Sequence, residues 1–312
     1  MMPILPANFR LCLSGILTII MTGVAWAWEP TAADLEEAFL LWATPRVEYS
    51  GKAQDDAYAM LMTDSMPAAR VLPRFFSSPS GSIREKILTL CENLGAEAVG
   101  AAMRPHVESD SPNLALVLMC LARSHDRQSL PILLDQLKHP RWTIRSSAAL
   151  ALGYLADSGA IGPLAETLKT DEHAQVRKSA VFSIGKCMDS VSLTPEILDR
   201  VCSALDDVFF ATRFNAARAM AEWSDPAAAY LLARYDSLSD TAKYGALYAL
   251  GRCPTPAGRE FLEKTSMEPQ TPAALRGIAL KGLLDRKWTP ADAALTDIRS
   301  IPVGRGLLGI LR

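Results

Sequence analysis

Apolar positions recur along most of this chain in blocks that align with one another. Each block opens on a basic anchor residue. Arg145-Ser-Ser-Ala-Ala-Leu-Ala-Leu-Gly153 is followed by Arg177-Lys-Ser-Ala-Val-Phe-Ser-Ile-Gly185 and Arg213-Phe-Asn-Ala-Ala-Arg-Ala-Met-Ala221. Lys243-Tyr-Gly-Ala-Leu-Tyr-Ala-Leu-Gly251 and Arg276-Gly-Ile-Ala-Leu-Lys-Gly-Leu-Leu284 come next, and the anchors lie 32, 36, 30 and 33 residues apart. Upstream, Arg84-Glu-Lys-Ile-Leu-Thr-Leu-Cys91 fits the frame and Leu114–Ala122 fits it loosely without the basic anchor. That makes seven recognisable copies between about residues 80 and 285.

Three residues after the anchor stands Ala148, Ala180, Ala216, Ala246 or Ala279, and seven after it an aliphatic residue or Met: Leu152, Ile184, Met220, Leu250, Leu283. A step of four with apolar flanks marks one buried stripe of a helix. Alanine on that stripe lets two helices approach closely. Gly or Ala at the eighth position predicts crowding or a bend near the helix end. A partner helix lies between anchors, as in Leu130–Leu137, Ile161–Leu168 and Ile197–Leu205, with polar and proline-containing turns at Lys138–Arg141, Ala156–Gly159 and Lys169–His173. Two helices of roughly 10 to 15 residues and two turns account for the period. Such a unit cannot bury its apolar face alone. The expected fold is therefore all-α, a right-handed α-α superhelical solenoid with one continuous core.

The ends depart from the repeat. Thr31-Ala-Ala-Asp34 has the form of a capping box leading into Leu35–Trp42. Pro45–Gly51 reads as a loop, and Asp55–Met62 and Ala68–Phe76 as two further helices. The expected organisation is an N-terminal helical cap or degenerate repeat over 28–80, the array over 81–288, and a C-terminal segment, 289–312, that packs across the last repeat as a cap or serves as a binding tail.

The segment Ile144-Arg-Ser-Ser-Ala-Ala-Leu-Ala-Leu-Gly153 resembles the HEAT-repeat superfamily, in particular the short repeats of phycobilisome-lyase-like HEAT proteins. The resemblance covers about two thirds of the chain. It implies an acidic residue six positions before each arginine, where it meets an arginine ladder. Asp171 and Asp207 match that place, while His139 and Ser78 occupy it elsewhere, so the ladder is incomplete. It also implies that the second helix of each pair lines a groove. The scaffold itself hosts many binding tasks.

Residues 1–10 carry one positive charge, Arg10, residues 11–28 carry none, and Ala25-Trp26-Ala27 has the small-x-small form of a cleavage site. This is the pattern of a signal peptide over 1–27 and of an exported, periplasmic protein. The alternative is an inner-membrane anchor through residues 11–28, facing the periplasm, at the short limit for a span.

Apolar residues make up 49% of the chain, which supplies a sizeable core. Lys plus Arg is 32 against 34 Asp plus Glu, a balance that argues against a nucleic-acid partner. Of six cysteines, Cys187 and Cys202 are the best candidates for a disulfide; the competing reading buries them all as small apolar residues. The four histidines form no zinc-binding spacing, and His106, His139 and His173 read as exposed turn residues. No nucleophile elbow, phosphate loop or dinucleotide motif is present, and the carboxylate pairs Glu36-Glu37 and Asp206-Asp207 would splay apart on a helix. No enzyme activity, metal site or cofactor is expected.

If the third and seventh positions are buried, the first and fifth share another face. There Lys178, Phe182, Phe214, Arg218, Tyr244, Tyr248 and Lys281 are aromatic and cationic, the composition of a protein-binding ridge. The competing reading assigns them to packing between repeats. Arg145, Arg177, Arg213 and Arg276 read as structural anchors that bridge carboxylates or carbonyls at the turns. Three functions fit this pattern. The first is a non-catalytic scaffold, adaptor or assembly factor of the bacterial cell envelope that binds another protein. The second is a lyase-like or cofactor-attachment helper holding a bilin or haem against Tyr244 and Tyr248. The third is a self-associating structural component of the envelope.

Overall fold

The structure, a computed structural model, describes residues 29–44, 51–108, 110–187 and 193–286. The expected signal segment, the alternative anchor, most of the Pro45–Gly51 loop and the 289–312 segment lie outside the described residues. The described residues form sixteen α-helices and short 3-10 turns, with no strand among them. The helices fall into two compact units that divide between Asp126 and Arg127.

The first unit contains α1 (Ala32–Ala43), α2 (Gly51–Thr63), α3 (Ser65–Val71), α4 (Gly81–Leu94), α5 (Ala96–Met103) and α6 (Leu114–Arg123). Thr31 starts α1 through a complete capping box. Its hydroxyl oxygen accepts the Asp34 N–H at 3.3 Å, and the Asp34 carboxylate accepts the Thr31 N–H at 2.8 Å. Helix α1 packs on α2, α3 on α5, and α4 on α6. One core runs through all six, from Leu35 and Phe39 to Cys120 and Leu121. The helices before residue 80 and the first repeat-like helices after it thus share a single interior.

The second unit alternates first helices, α7 (Leu130–Asp135), α9 (Ile161–Thr170), α11 (Pro195–Ser203), α13 (Ser224–Arg234) and α15 (Pro256–Met267), with second helices. The second helices are α8 (Trp142–Leu155), α10 (Ala174–Cys187), α12 (Phe210–Glu222), α14 (Asp240–Arg252) and α16 (Ala273–Asp285). They lie side by side in chain order, α8 on α10, α10 on α12, α12 on α14 and α14 on α16. This is a repeat-like solenoid of helix pairs. Every third-position alanine and every seventh-position residue is fully buried. The eighth position of one helix meets the sixth of the next. A methyl group placed on Gly153 would come within 2.9 Å of the Ser183 Cα, and one on Gly251 within 2.7 Å of the Gly282 Cα. The sixth position is small throughout: Ala151, Ser183, Ala219, Ala249, Gly282.

The anchor arginines bind the repeats together. Arg145 donates from Nη1 to the His139 and Pro140 carbonyls of its own turn at 3.0 and 3.1 Å. Its Nε and Nη2 grasp the Asp171 carboxylate of the next repeat at 2.7 and 3.1 Å. Arg177 repeats both halves, with Nη1 on the Asp171 and Glu172 carbonyls at 3.0 Å each and Nε and Nη2 on Asp207 at 2.6 and 3.0 Å. Each aspartate also accepts the N–H two residues on, His173 at 2.8 Å and Phe209 at 2.7 Å. Burial works to raise the Asp207 pKa. The hydrogen bonds from Arg177 and Phe209, with the charges of Arg177 and Arg213, outweigh it and hold the carboxyl below its ordinary range.

Two expectations are corrected here. Cys187 and Cys202 are both free and buried. Cys187 donates to the Leu152 carbonyl on α8 at 3.3 Å, and Cys202 lies among the charges of Asp199 and Arg234, so the two thiols serve different packing sites. Burial pushes them up to about 12 and about 11 respectively. The neighbouring thiols are instead Cys91 on α4 and Cys120 on α6, and the interaction with Cys91, with burial, raises the Cys120 thiol. His139, expected to be exposed, is buried, because its Nδ1 accepts the Arg141 N–H at 3.0 Å and closes the turn. His173 does not stand free either; it stacks on Trp142, with ring centroids 3.8 Å apart.

Four variants test this account. Asp171→Asn leaves the largely buried Arg145 guanidinium without its carboxylate and should lower unfolding free energy by about 2–3 kcal/mol in a denaturant titration. A carboxyl held below its unfolded value stabilises the fold above about pH 4, and that contribution is lost as pH falls through the folded value. Asp207→Asn should therefore flatten the acid limb of stability against pH; an unchanged limb would contradict the pairing. Gly251→Val should cost about 1–3 kcal/mol by overpacking. Gly277→Ala, where an added methyl meets open space inside α16, should be neutral or stabilise by up to about 1 kcal/mol.

Candidate functional site

The third ladder arginine differs from the first two. Arg213 keeps its hold on its own turn, donating from Nη1 to the Asp207 and Val208 carbonyls at 2.7 and 3.2 Å. The place that holds Asp171 and Asp207 in the preceding turns is Ser237 in the next. Its hydroxyl donates to the Arg234 carbonyl at 2.7 Å, so it does not stand in for a carboxylate. Among the described residues no carboxylate is bonded to Arg213. Instead its guanidinium lies over the Phe210 ring, 5.6 Å from the centroid.

An apolar slot opens at this point between α12, α14 and α16. Phe214, Tyr244 and Tyr248 form its walls, Leu205 and Ile278 its apolar lining, and Arg213 and Lys281 its cations. No acidic residue lines it. The cavity is about 100 Å³. Gly245 helps to keep it open, since a methyl there would come within 2.7 Å of Leu205 Cδ2. The aromatic rim is continuous: Phe210 and Phe214 stack at 6.2 Å, Phe214 reaches Tyr248 at 5.7 Å, and the Arg252 guanidinium sits 4.7 Å from the Tyr248 centroid. Phe210 in this rim is 51% exposed.

The residues read from the sequence as one ridge divide into two groups. Phe214, Tyr244, Tyr248 and Lys281 come together in the slot. Phe182 and Arg218 line a smaller cleft on α10 and α12, with Lys186 placed over the Phe182 ring at 5.9 Å. Lys178 contributes its backbone, whose carbonyl accepts from Asn215 at 3.4 Å. Arg218 pairs with Glu222 at 3.4 Å and Lys281 with Asp285 at 3.1 Å, exposed pairs within one helix that hold their cations weakly. Arg276 is half-buried in the first half of α16. Sequence reasoning missed Phe210, Leu205 and Ile278. Phe210 precedes its anchor and Leu205 belongs to the preceding turn, so the anchor-based frame does not reach either; Ile278 sits two positions after its anchor, on neither face considered.

A second depression of about 500 Å³ is lined by Lys169, Arg177, Arg200, Asp206 and Asp207. Its charges are of both signs, and Arg177 there is already committed to Asp207. Among the described residues no group of three or more His, Cys, Asp or Glu side chains is placed to hold a metal ion. No helix of the described residues is long and apolar enough to cross a membrane.

Comparison with protein families agrees with the repeat architecture. The family model for HEAT repeats matches residues 107–185 and 163–251. No curated protein matches the chain in sequence. Among solved structures, the complex of CpcE and CpcF of phycocyanin lyase from Nostoc sp. PCC7120 is 18% identical, covering 73% of this chain and 91% of that one, with a TM-score of 0.40. An engineered protein is 15% identical over 92% of both chains, TM-score 0.42. Human deoxyhypusine hydroxylase in complex with glycerol is 16% identical over 87% of this chain and 91% of that one, TM-score 0.26. The fold is all-helical and HEAT-repeat-like.

Proposed function

We propose that this chain is a non-catalytic binding scaffold of the bacterial cell envelope, and that the aromatic slot on α12, α14 and α16 docks another protein. The fold suits protein–protein interaction, since a row of parallel helices offers one extended face. The observation that carries the reading is the slot itself. Partly exposed aromatic rings, cations beside them and a lining free of carboxylates make the composition of an interface hot spot. The export pattern of residues 1–27 supports the envelope location.

A second reading places a tetrapyrrole in the slot, with its ring system against Tyr244 and Tyr248 and its carboxylates on Arg213 and Lys281. The lining favours it in kind, and the size opposes it. Pockets for ligands of that class span about 300–1,000 Å³, against about 100 Å³ here.

A photo-crosslinking residue at Phe214 or Tyr244 separates these readings in the native envelope. One protein should be captured at both positions and not from Glu260, an exposed residue on α15. Phe214→Ala with Tyr248→Ala should reduce capture at Tyr244 by tenfold or more. An absorbance band that grows as haemin or a bilin is titrated in, and disappears in the same double variant, would replace the protein-docking reading with the pigment reading.

A further inference from the structure

The docking reading leaves the chemistry of the partner open, and the arginine ladder supplies it. Arg145 and Arg177 each divide their guanidinium in the same way: Nη1 holds the turn, while Nε and Nη2 hold an aspartate in a bidentate pair. Arg213 preserves the first half and has no carboxylate for the second among the described residues. The residue type that grasps an aspartate twice in this fold thus lines an apolar slot whose lining contains no acid.

We propose that the partner completes the ladder. The slot takes a protein segment that puts a bulky apolar side chain between Phe214, Tyr244 and Tyr248, and sets an Asp or Glu carboxylate from the same segment on Arg213. Three observations converge on this occupant. The cavity has the size of a side chain rather than of a whole small molecule. Both lining cations, Arg213 and Lys281, favour an anion. The geometry for a fork-to-fork pair is built twice in the preceding repeats. Recognition of an acidic motif by arginine beside an apolar pocket is a general mode of peptide binding.

The proposal rests on the docking reading, and its test keeps the two apart. A displayed library of random twelve-residue peptides is panned against the full chain. The best binder is then synthesised in its selected form and with each acidic residue changed to its amide, and affinities are read by fluorescence anisotropy. Selected peptides should carry an acidic residue within four positions of a large apolar one. The amide form should bind wild type at least tenfold more weakly, and Arg213→Gln should bind both forms alike. Arg213→Lys, which retains charge without the bidentate fork, should recover only part of the preference. The acid-to-amide comparison on wild type needs no altered protein, so it stands even if Arg213→Gln unfolds.

If the amide form binds as tightly as the acid, the carboxylate proposal is overturned and the docking slot survives. A preference that persists in a folded Arg213→Gln protein also overturns it, since the carboxylate then sits elsewhere. Selected peptides whose binding ignores Phe214→Ala and Tyr248→Ala overturn both readings. A dimer of the chain that Arg213→Gln dissolves, with no peptide competing for it, overturns the separate partner in favour of a second copy.

Discussion

The end of a first helix leaves turn carbonyls that no helix satisfies, and leaving them buried without donors would cost more than a single hydrogen bond usually contributes. In this chain one guanidinium meets that need at four of the turns. Arg84, Arg145, Arg177 and Arg213 all donate to the carbonyl six residues before them. Where the next turn carries an aspartate at the equivalent place, the same guanidinium also reaches forward, and turn geometry and repeat spacing become a single constraint. The close approach of successive second helices needs that same register, both where the clamp is present and, at the Lys243 copy, where it is not. Gly251 can lie against Gly282, and Gly153 against Ser183, only if adjacent repeats keep one register.

The stripe at the third and seventh positions was legible because a step of four with unvarying alanine is a strong periodic signal. The match of eighth to sixth positions was only half legible. Crowding at Gly153, Gly185 and Gly251 was readable, but small residues six after the anchor look like ordinary helix formers until the neighbouring helix is seen. Sequence distance misled on the cysteines. The fifteen-residue spacing of Cys187 and Cys202 says nothing about the direction of either thiol. The fold gives Cys187 a carbonyl at the end of the preceding second helix, and Cys253 has the same role toward Met220 and Ala221. Half of the slot was visible because Phe214, Tyr244, Tyr248 and Lys281 share the first- and fifth-position face. Arg213 was read as purely structural, although the sequence already places Ser237 and not an aspartate six residues before the next anchor.

The change in the ladder and the change in the surface occur together. While an aspartate is present, the first position after the anchor is Ser146 or Lys178; where it is absent, the residues are Phe214 and Tyr244. Ser146 serves packing between repeats, its hydroxyl 2.8 Å from that of Ser179. Phe214 and Tyr244 line the slot. The repeat thus switches from internal bonding to outward display within one copy.

The size of the slot then decides what such a display can hold. A planar pigment would bury most of its area only in a cavity several times larger, whereas one leucine-sized or phenyl side chain fits the space between two tyrosines and a phenylalanine. Apolar burial of that kind contributes about 1.5–3 kcal/mol, which alone gives weak binding with little orientation. A charge-assisted pair at Arg213 would add direction as well as affinity, because a bidentate fork accepts a carboxylate in one plane. Its penalty is modest for a partly exposed arginine already oriented by the Asp207 and Val208 carbonyls and by Phe210, since little side-chain freedom remains to be lost on binding. Preorganisation of this kind is what would turn a missing aspartate into a recognition device in the proposed docking.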